Sequence, residues 1–409
     1  MKADHAAVTP QSTQLRRPVV WFMSLAAALG TSTIYLLQPA IADVADSFGA
    51  RTSAVGFALA CGPVGYMLGL ALLVPLVDRY PPARVLAAQF GALAAVLVLN
   101  AAAGSVWVLG PVISIVGACS AVGAGLSSVA GRLAPPQRRA TVLGIVTAGI
   151  SAGILAGRIV GGWLADEIGW RGMLLVFAAA CAVVAVCSSA VLPAAVGAAE
   201  RGSLATLRSL PGLFVRHAAL RLAAVCGALW FFAFCAVWAG LAAALSEPPY
   251  SYSSERIGLY ALAGLSGIVA TQVSGTWTDR VGARRVILVG LALAAVSAGV
   301  LSSSLSNTLV TVTCLVLFDA GLFAAQVANQ STVLGIDPAA PARFNSGYML
   351  VYFVGGSLGT AFGAAAVEWI GWSVTAGAAA LAIGAAGTIT VLHRHRMAAT
   401  VPTSPQEVA

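Results

Sequence analysis

The chain has 409 residues, 59% of them hydrophobic and 9% charged. Water-soluble domains carry roughly a quarter charged residues, so an ordinary soluble fold is excluded. A formal charge of +8 would suit a nucleic-acid partner, but the placement of the cations along the chain argues against one.

A helix needs about 20 apolar residues to cross ~30 Å of hydrocarbon. Such runs are predicted in the first half at 18–42, 53–77, 83–103, 106–129, 140–165 and 172–192. The second half adds 220–245, 254–278, 286–305, 308–334, 346–367 and 372–392, which makes twelve spans. They are helices because the runs are unbroken, and because lipid requires each segment to satisfy its own backbone groups. The first run follows Arg16 and Arg17 and ends near Ala40 to Ala42, a pattern that a signal peptide shares. It is longer than a signal core and is expected to stay as a helix.

The expected plan is an all-α membrane protein of twelve transmembrane helices in two pseudo-symmetric six-helix bundles. A tail (1–17) precedes the first bundle (18–192), a linker (193–219) leads to the second (220–392), and a second tail (393–409) follows. With both termini in the cytoplasm, eighteen cations fall on that side and only Arg51, Arg171 and Arg256 on the other. That bias is the positive-inside rule, and it predicts the cytoplasmic (inner) membrane with this orientation. All seven cysteines lie in predicted spans with no ligand spacing, so no metal site is expected. His393 and His395, between Arg394 and Arg396, are expected to anchor the tail at the membrane edge.

Duplication is legible in the residues. Val74 to Arg84, VPLVDRYPPAR, answers Gly275 to Arg285, GTWTDRVGARR, so Asp78-Arg79 matches Asp279-Arg280 about two hundred residues later. Gly157, Gly161, Asp166 and Gly169-Trp170 likewise match Gly359, Gly363, Glu368 and Gly371-Trp372. Parallel halves of equal length are the plan of a two-bundle transporter with its site between the bundles.

The loop after span eight carries Gly275, Asp279, Arg280, Gly282, Arg284 and Arg285 in the pattern G-x-x-x-D-R-x-G-x-R-R. Span five reads Gly144, Gly153, Gly157, Arg158, Gly161 and Gly162, similar to an antiporter motif with Arg158 where the motif has proline. With YLLQP at Tyr35 to Pro39 and DAGLFAAQVANQ at Asp319 to Gln330, the chain resembles the major facilitator superfamily, in its bacterial efflux (drug:proton antiporter-like) branch. The first loop copy departs, with Val74 for the leading glycine and Pro81-Pro82 further on. The resemblance implies that Asp78, Arg79 and the second-copy residues form a cytoplasmic latch. It also implies that spans one, four, seven and ten line a substrate cavity. The arginine usual in span four has no counterpart, and Cys119 stands near its place.

Gly149, Gly153, Gly157 and Gly161 recur every four residues, so they are expected to pack a helix closely at the bundle interface, helped by Gly162. Asp319 lies ~18 Å into span ten, near the membrane midplane. A carboxylate there costs about 2.5–3.5 kcal/mol. Withdrawn from water it can take up and release a proton near neutrality, which makes it the candidate for coupling. Gln326 and Gln330 share its face. Arg158 has two readings: it snorkels to the outer surface, or it is buried and pairs with an acid or an anionic substrate. Thr31, Tyr35 and Gln38 on span one, Trp230, Phe234 and Trp238 on span seven, and Tyr348 and Tyr352 on span eleven are the remaining cavity candidates. An aromatic stripe is also compatible with packing or lipid contact.

These features predict a secondary transporter exporting a small organic molecule, driven by protons, as a monomer in the bilayer without a cofactor. A symporter importing a sugar or metabolite is the alternative. A membrane enzyme or receptor fits poorly, because no catalytic constellation falls at membrane depth and all four histidines lie in tails or loops. No Gly-rich nucleotide loop with lysine supports an ATP-driven pump.

Overall fold

The computed structural model describes residues 17–192, 203–337 and 340–392. Both tails, including His393 and His395, and the start of the linker lie outside them. Among the described residues every regular element is helical. Span one comprises α1 (Arg17–Ser32) and α2 (Ile41–Phe48); span two, α3 (Thr52–Leu72) and α4 (Leu76–Arg79); span three, α5 (Pro82–Ala101); and span four, α6 (Val106–Ser120) and α7 (Val122–Leu133). The stretch α8 (Arg139–Val191) is two helices, spans five and six, since Gly169 at φ 75° and ψ 156° is non-helical and turns the chain between them. After α9 (Ser203–Arg216) in the linker come α10 (Ala218–Ser246, span seven), then α11 (Ser254–Leu259) and α12 (Leu265–Val281), which with a 3-10 turn make span eight. Spans nine to twelve are α13 (Ala283–Ser304), α14 (Thr308–Leu334), α15 (Pro341–Ile370) and α16 (Trp372–Leu392). Among the described residues ten helical stretches meet the length and apolarity of a membrane span. Separating the two spans of α8 and adding the shorter α1 gives the twelve expected crossings.

Span one is not the single helix expected over 18–42. The hydroxyls of Ser32 and Thr33 donate to Leu29 and Gly30 carbonyls at 2.7 and 2.8 Å, and Tyr35 N–H bonds Ser32 only three residues back. Local bonding of this kind competes with the α-helical ladder. Pro39 then bars helix from forming before it. The helix therefore breaks at the depth where Tyr35 and Gln38 sit.

The two bundles pack by the same rule. A Cβ on Gly153, Gly157 or Gly161 would press into the carbonyls of Ala28, Ser32 and Leu36 on span one. In the second bundle, Gly355, Gly359 and Gly363 stand against the carbonyls of Ala228, Phe232 and Ala236 on span seven in the same way. The glycine face of span five therefore binds span one inside its own bundle, not across the interface as expected. Glycine reappears there because only a missing Cβ lets two backbones touch. Gly144 has no neighbour within 4 Å. Gly162 does cross, meeting Ser254 of span eight, and Gly258 meets the carbonyl of Arg158. Spans two and eleven form the other seam, where Gly56 faces Ala364 and Ser357 Oγ donates to the Ala60 carbonyl.

At the face away from the termini, polar links join the bundles. Arg51 reaches Glu368 at 3.4 Å, and the Ser53 N–H donates to Glu368 Oε2 at 3.0 Å. Thr52 Oγ1 donates to Glu247 Oε1 at 3.2 Å, and Ser254 Oγ to Asp43 Oδ2 at 2.6 Å. Carboxylates thus meet the first turns of spans two and eight, where the helix dipole favours negative charge.

Candidate functional site

A cavity of about 200 Å³ lies between the bundles. Span one contributes Thr31, Tyr35 and Gln38; span seven, Trp230 and Phe234; span ten, Gln326; and span eleven, Tyr352. Spans two and five also line it, through Tyr66, Ile150, Ile154 and Arg158. No described residue of span four does, in contrast to expectation; the Cys119 carbonyl instead accepts a hydrogen bond from Gln89 at 3.1 Å. Trp238, Gln330 and Tyr348 also lie off the wall. Gln330 donates to Asn345 Oδ1 at 3.0 Å, and the Tyr348 hydroxyl accepts from Asn329 at 3.4 Å. The helical spacing placed these side chains on the right helices, but one turn further along each faces a neighbouring helix instead of the void.

Arg158 is 5% exposed, so it does not snorkel to the surface. Its Nε donates to Gln38 Oε1 at 2.7 Å, in the unwound stretch of span one. The guanidinium carbon lies 4.5 Å from the Trp238 ring centre, 4.9 Å from Tyr35 and 5.8 Å from Phe234. Such cation–π contacts are worth about 2 kcal/mol when desolvated. The edge of the same indole serves an acid: Trp238 Nε1 donates to Asp319 Oδ1 at 3.2 Å. Asp319 is 1% exposed and stands behind Trp238, beside Gly264 of span eight. It does not share the water-facing stripe expected with Gln326. Arg158 and Asp319 form no ion pair with each other, so they stand further apart than a salt bridge.

Pseudo-symmetry breaks at the loop motif. Gly282 turns the chain at φ 87° after α12, whereas Pro81, its first-half counterpart, sits at φ −54°. Proline cannot take the left-handed conformation, so the first loop turns by another route. Asp78 does not pair with Arg79 or Arg84; it accepts from Arg132 at 2.9 Å and Ser128 at 3.1 Å on span four. Asp279 lies in the last turn of α12, at a helix C-terminus, and no ion pair joins it to Arg280, Arg284 or Arg285 among the described residues. Arg284 instead caps span twelve, donating to the Thr390 and Val391 carbonyls at 3.4 and 3.5 Å.

Two six-helix halves around a central cavity define a membrane transporter, and the comparisons with known proteins agree. The Major Facilitator Superfamily model matches residues 20–340. A "Probable transporter SCO4007" of Streptomyces coelicolor is 31% identical over 354 residues, 86% of this chain and 81% of that protein. An "Uncharacterized transporter YgaY" of Escherichia coli O157:H7 is 29% identical over 366 residues, covering 90% and 93% of the two. This chain belongs to the major facilitator superfamily. Among solved structures it is similar in fold to a point mutant of the nucleoside transporter NupG, with TM-score 0.74 and 13% identity over 92% of this chain and 99% of that one. It is also similar in fold to a bacterial homologue of the human lysosomal transporter Spinster in an inward-facing, occupied conformation. There the TM-score is 0.71 at 13% identity, over 94% of this chain and 96% of that one.

Proposed function

We propose that this protein is a proton-coupled exporter of a small organic molecule, working by alternating access as a monomer. It would sit in the cytoplasmic membrane with both termini inside. The observation that carries the reading is Asp319, a carboxylate buried at membrane depth one indole away from Arg158 of the opposite bundle. Gaining or losing a proton there changes the net charge between the bundles. Because the two bundles hold opposite members of the pair, that change acts on their relative position. The aromatic wall supports an organic solute over a strongly hydrated sugar. The efflux-like motifs in spans one, five and ten support export.

Counterflow in proteoliposomes, screened over a panel of organic solutes, tests transport itself. An imposed pH gradient should then drive the identified solute beyond equilibration. Uptake that halts at equilibration with or without the gradient would leave a uniporter.

A further inference from the structure

The cavity carries one sign of charge. Arg158 is the one charged side chain among the described residues that line it, and Asp319 lies outside that lining, its Oδ1 accepting from the Trp238 N–H. The protein supplies the guanidinium with one neutral acceptor, Gln38 Oε1, on its Nε edge. Neither Nη group is paired with a carboxylate of the described residues, and the ring faces of Tyr35, Phe234 and Trp238 surround the rest of the guanidinium. A guanidinium held by its Nε edge keeps its Nη edge for a two-point hydrogen bond, the geometry a carboxylate matches. A buried cation lacking a paired anion is costly, so an anionic group delivered by a ligand gains more here than at a solvated site. A cationic solute would have to shed its water beside a like charge.

Resting on the reading of this cavity as the transport site, we infer that its substrates are organic anions. One carboxylate sits on Arg158 and an apolar or aromatic body lies against Tyr35, Trp230 and Phe234. Gln38 is the positioning residue, because its carbonyl fixes the guanidinium in plane. The cavity therefore selects by charge at one end and by ring contact at the other.

The test uses the purified full-length protein and three probes of one shape: 4-phenylbutyrate, 4-phenylbutylamine and 4-phenylbutanol. Tryptophan fluorescence titration reads binding without any gradient, so failure of proton coupling cannot imitate failure of this inference. The anion is expected to bind at least tenfold tighter than the amine, with the alcohol between them. Arg158→Gln should weaken the anion roughly ten- to hundredfold and leave the alcohol unchanged, as loss of a charge-assisted hydrogen bond predicts. Arg158→Lys should keep the charge preference at reduced affinity, and Gln38→Leu should weaken the anion alone. Equal binding of anion and amine by the wild-type protein overturns the inference without any variant, and so does undiminished anion binding by Arg158→Gln. Anion binding with no pH-driven accumulation of the anion would sink the proton-coupling reading and leave this one standing.

Discussion

The indole of Trp238 carries the Arg158 guanidinium on its face and the Asp319 carboxylate on its edge, so changing one of the three alters the surroundings of the others. Asp319→Asn is the sharpest probe, since the amide keeps the shape and the acceptor for Trp238 but cannot lose a proton. Gradient-driven accumulation should fall to the gradient-free level, while exchange of labelled for unlabelled solute should stay within about twofold of wild type; a coupled full-height response in the Asn protein would clear Asp319 of the role. A purely structural Asp319 predicts no such split in the Asn protein. Asp319→Ala, which removes the acceptor of the Trp238 N–H, should then lower both activities together, because leaving one partner of a buried hydrogen bond unpaired costs about 1–3 kcal/mol. The depth of Asp319 was legible in the sequence, as the carboxylate stands about twelve residues into an apolar run. Its partner was not. Trp238 and Arg158 lie on different helices of different bundles, and helical spacing orders residues around one axis without saying which neighbour each face meets.

At the level of helices, backbone contact through glycine sets the packing. An alanine at position 157 would press its Cβ into the Ser32 carbonyl, and one at 359 into that of Phe232. Gly157→Ala and Gly359→Ala are each expected to destabilise by about 1–3 kcal/mol, the range for overpacking. Gly144→Ala meets nothing within 4 Å and should raise stability slightly through its helix propensity. Thermal unfolding of the three variants in detergent would separate them; a shift of the same sign in all three would show that space at these seams is unimportant. The four-residue glycine period was evident in the sequence. Which helix it faced was not, because a close approach is a property of two segments more than a hundred residues apart. Span one shows the converse: Pro39 marked a break that apolarity alone hid.

For the molecule as a whole, two sets of charges sit at opposite faces and should bias the bundles in opposite directions. At the face away from the termini, Glu368 holds both Arg51 and the Ser53 N–H. An exposed ion pair and a helix-terminus carboxylate are each worth about 0.5–1 kcal/mol. Glu368→Ala should therefore shift the population toward opening at that face, by roughly two- to fivefold for each of these interactions that it removes. At the other face Asp279 is unpaired to its neighbouring arginines in this conformation. If it latches the closed form there, Asp279→Asn should favour opening at the termini's side and slow solute turnover. Distances between spin labels across each face would read both variants. Unchanged distance distributions in Glu368→Ala would mean that apolar seams alone hold the face shut, and unchanged ones in Asp279→Asn would leave the motif as a topology signal.

Arg158 belongs to two surfaces at once. Its side chain enters the cavity, while its own carbonyl lies under Gly258 where spans five and eight meet. A hinge that parts those spans would carry the cation with one wall and leave Trp238 with the other, so the binding charge would be dismantled by the stroke that exposes it. If the transported solute is an organic anion held on Arg158, no separate release step is needed: it would lose either the guanidinium or the aromatic rings of the second bundle as the seam opens, and affinity would become a readout of geometry.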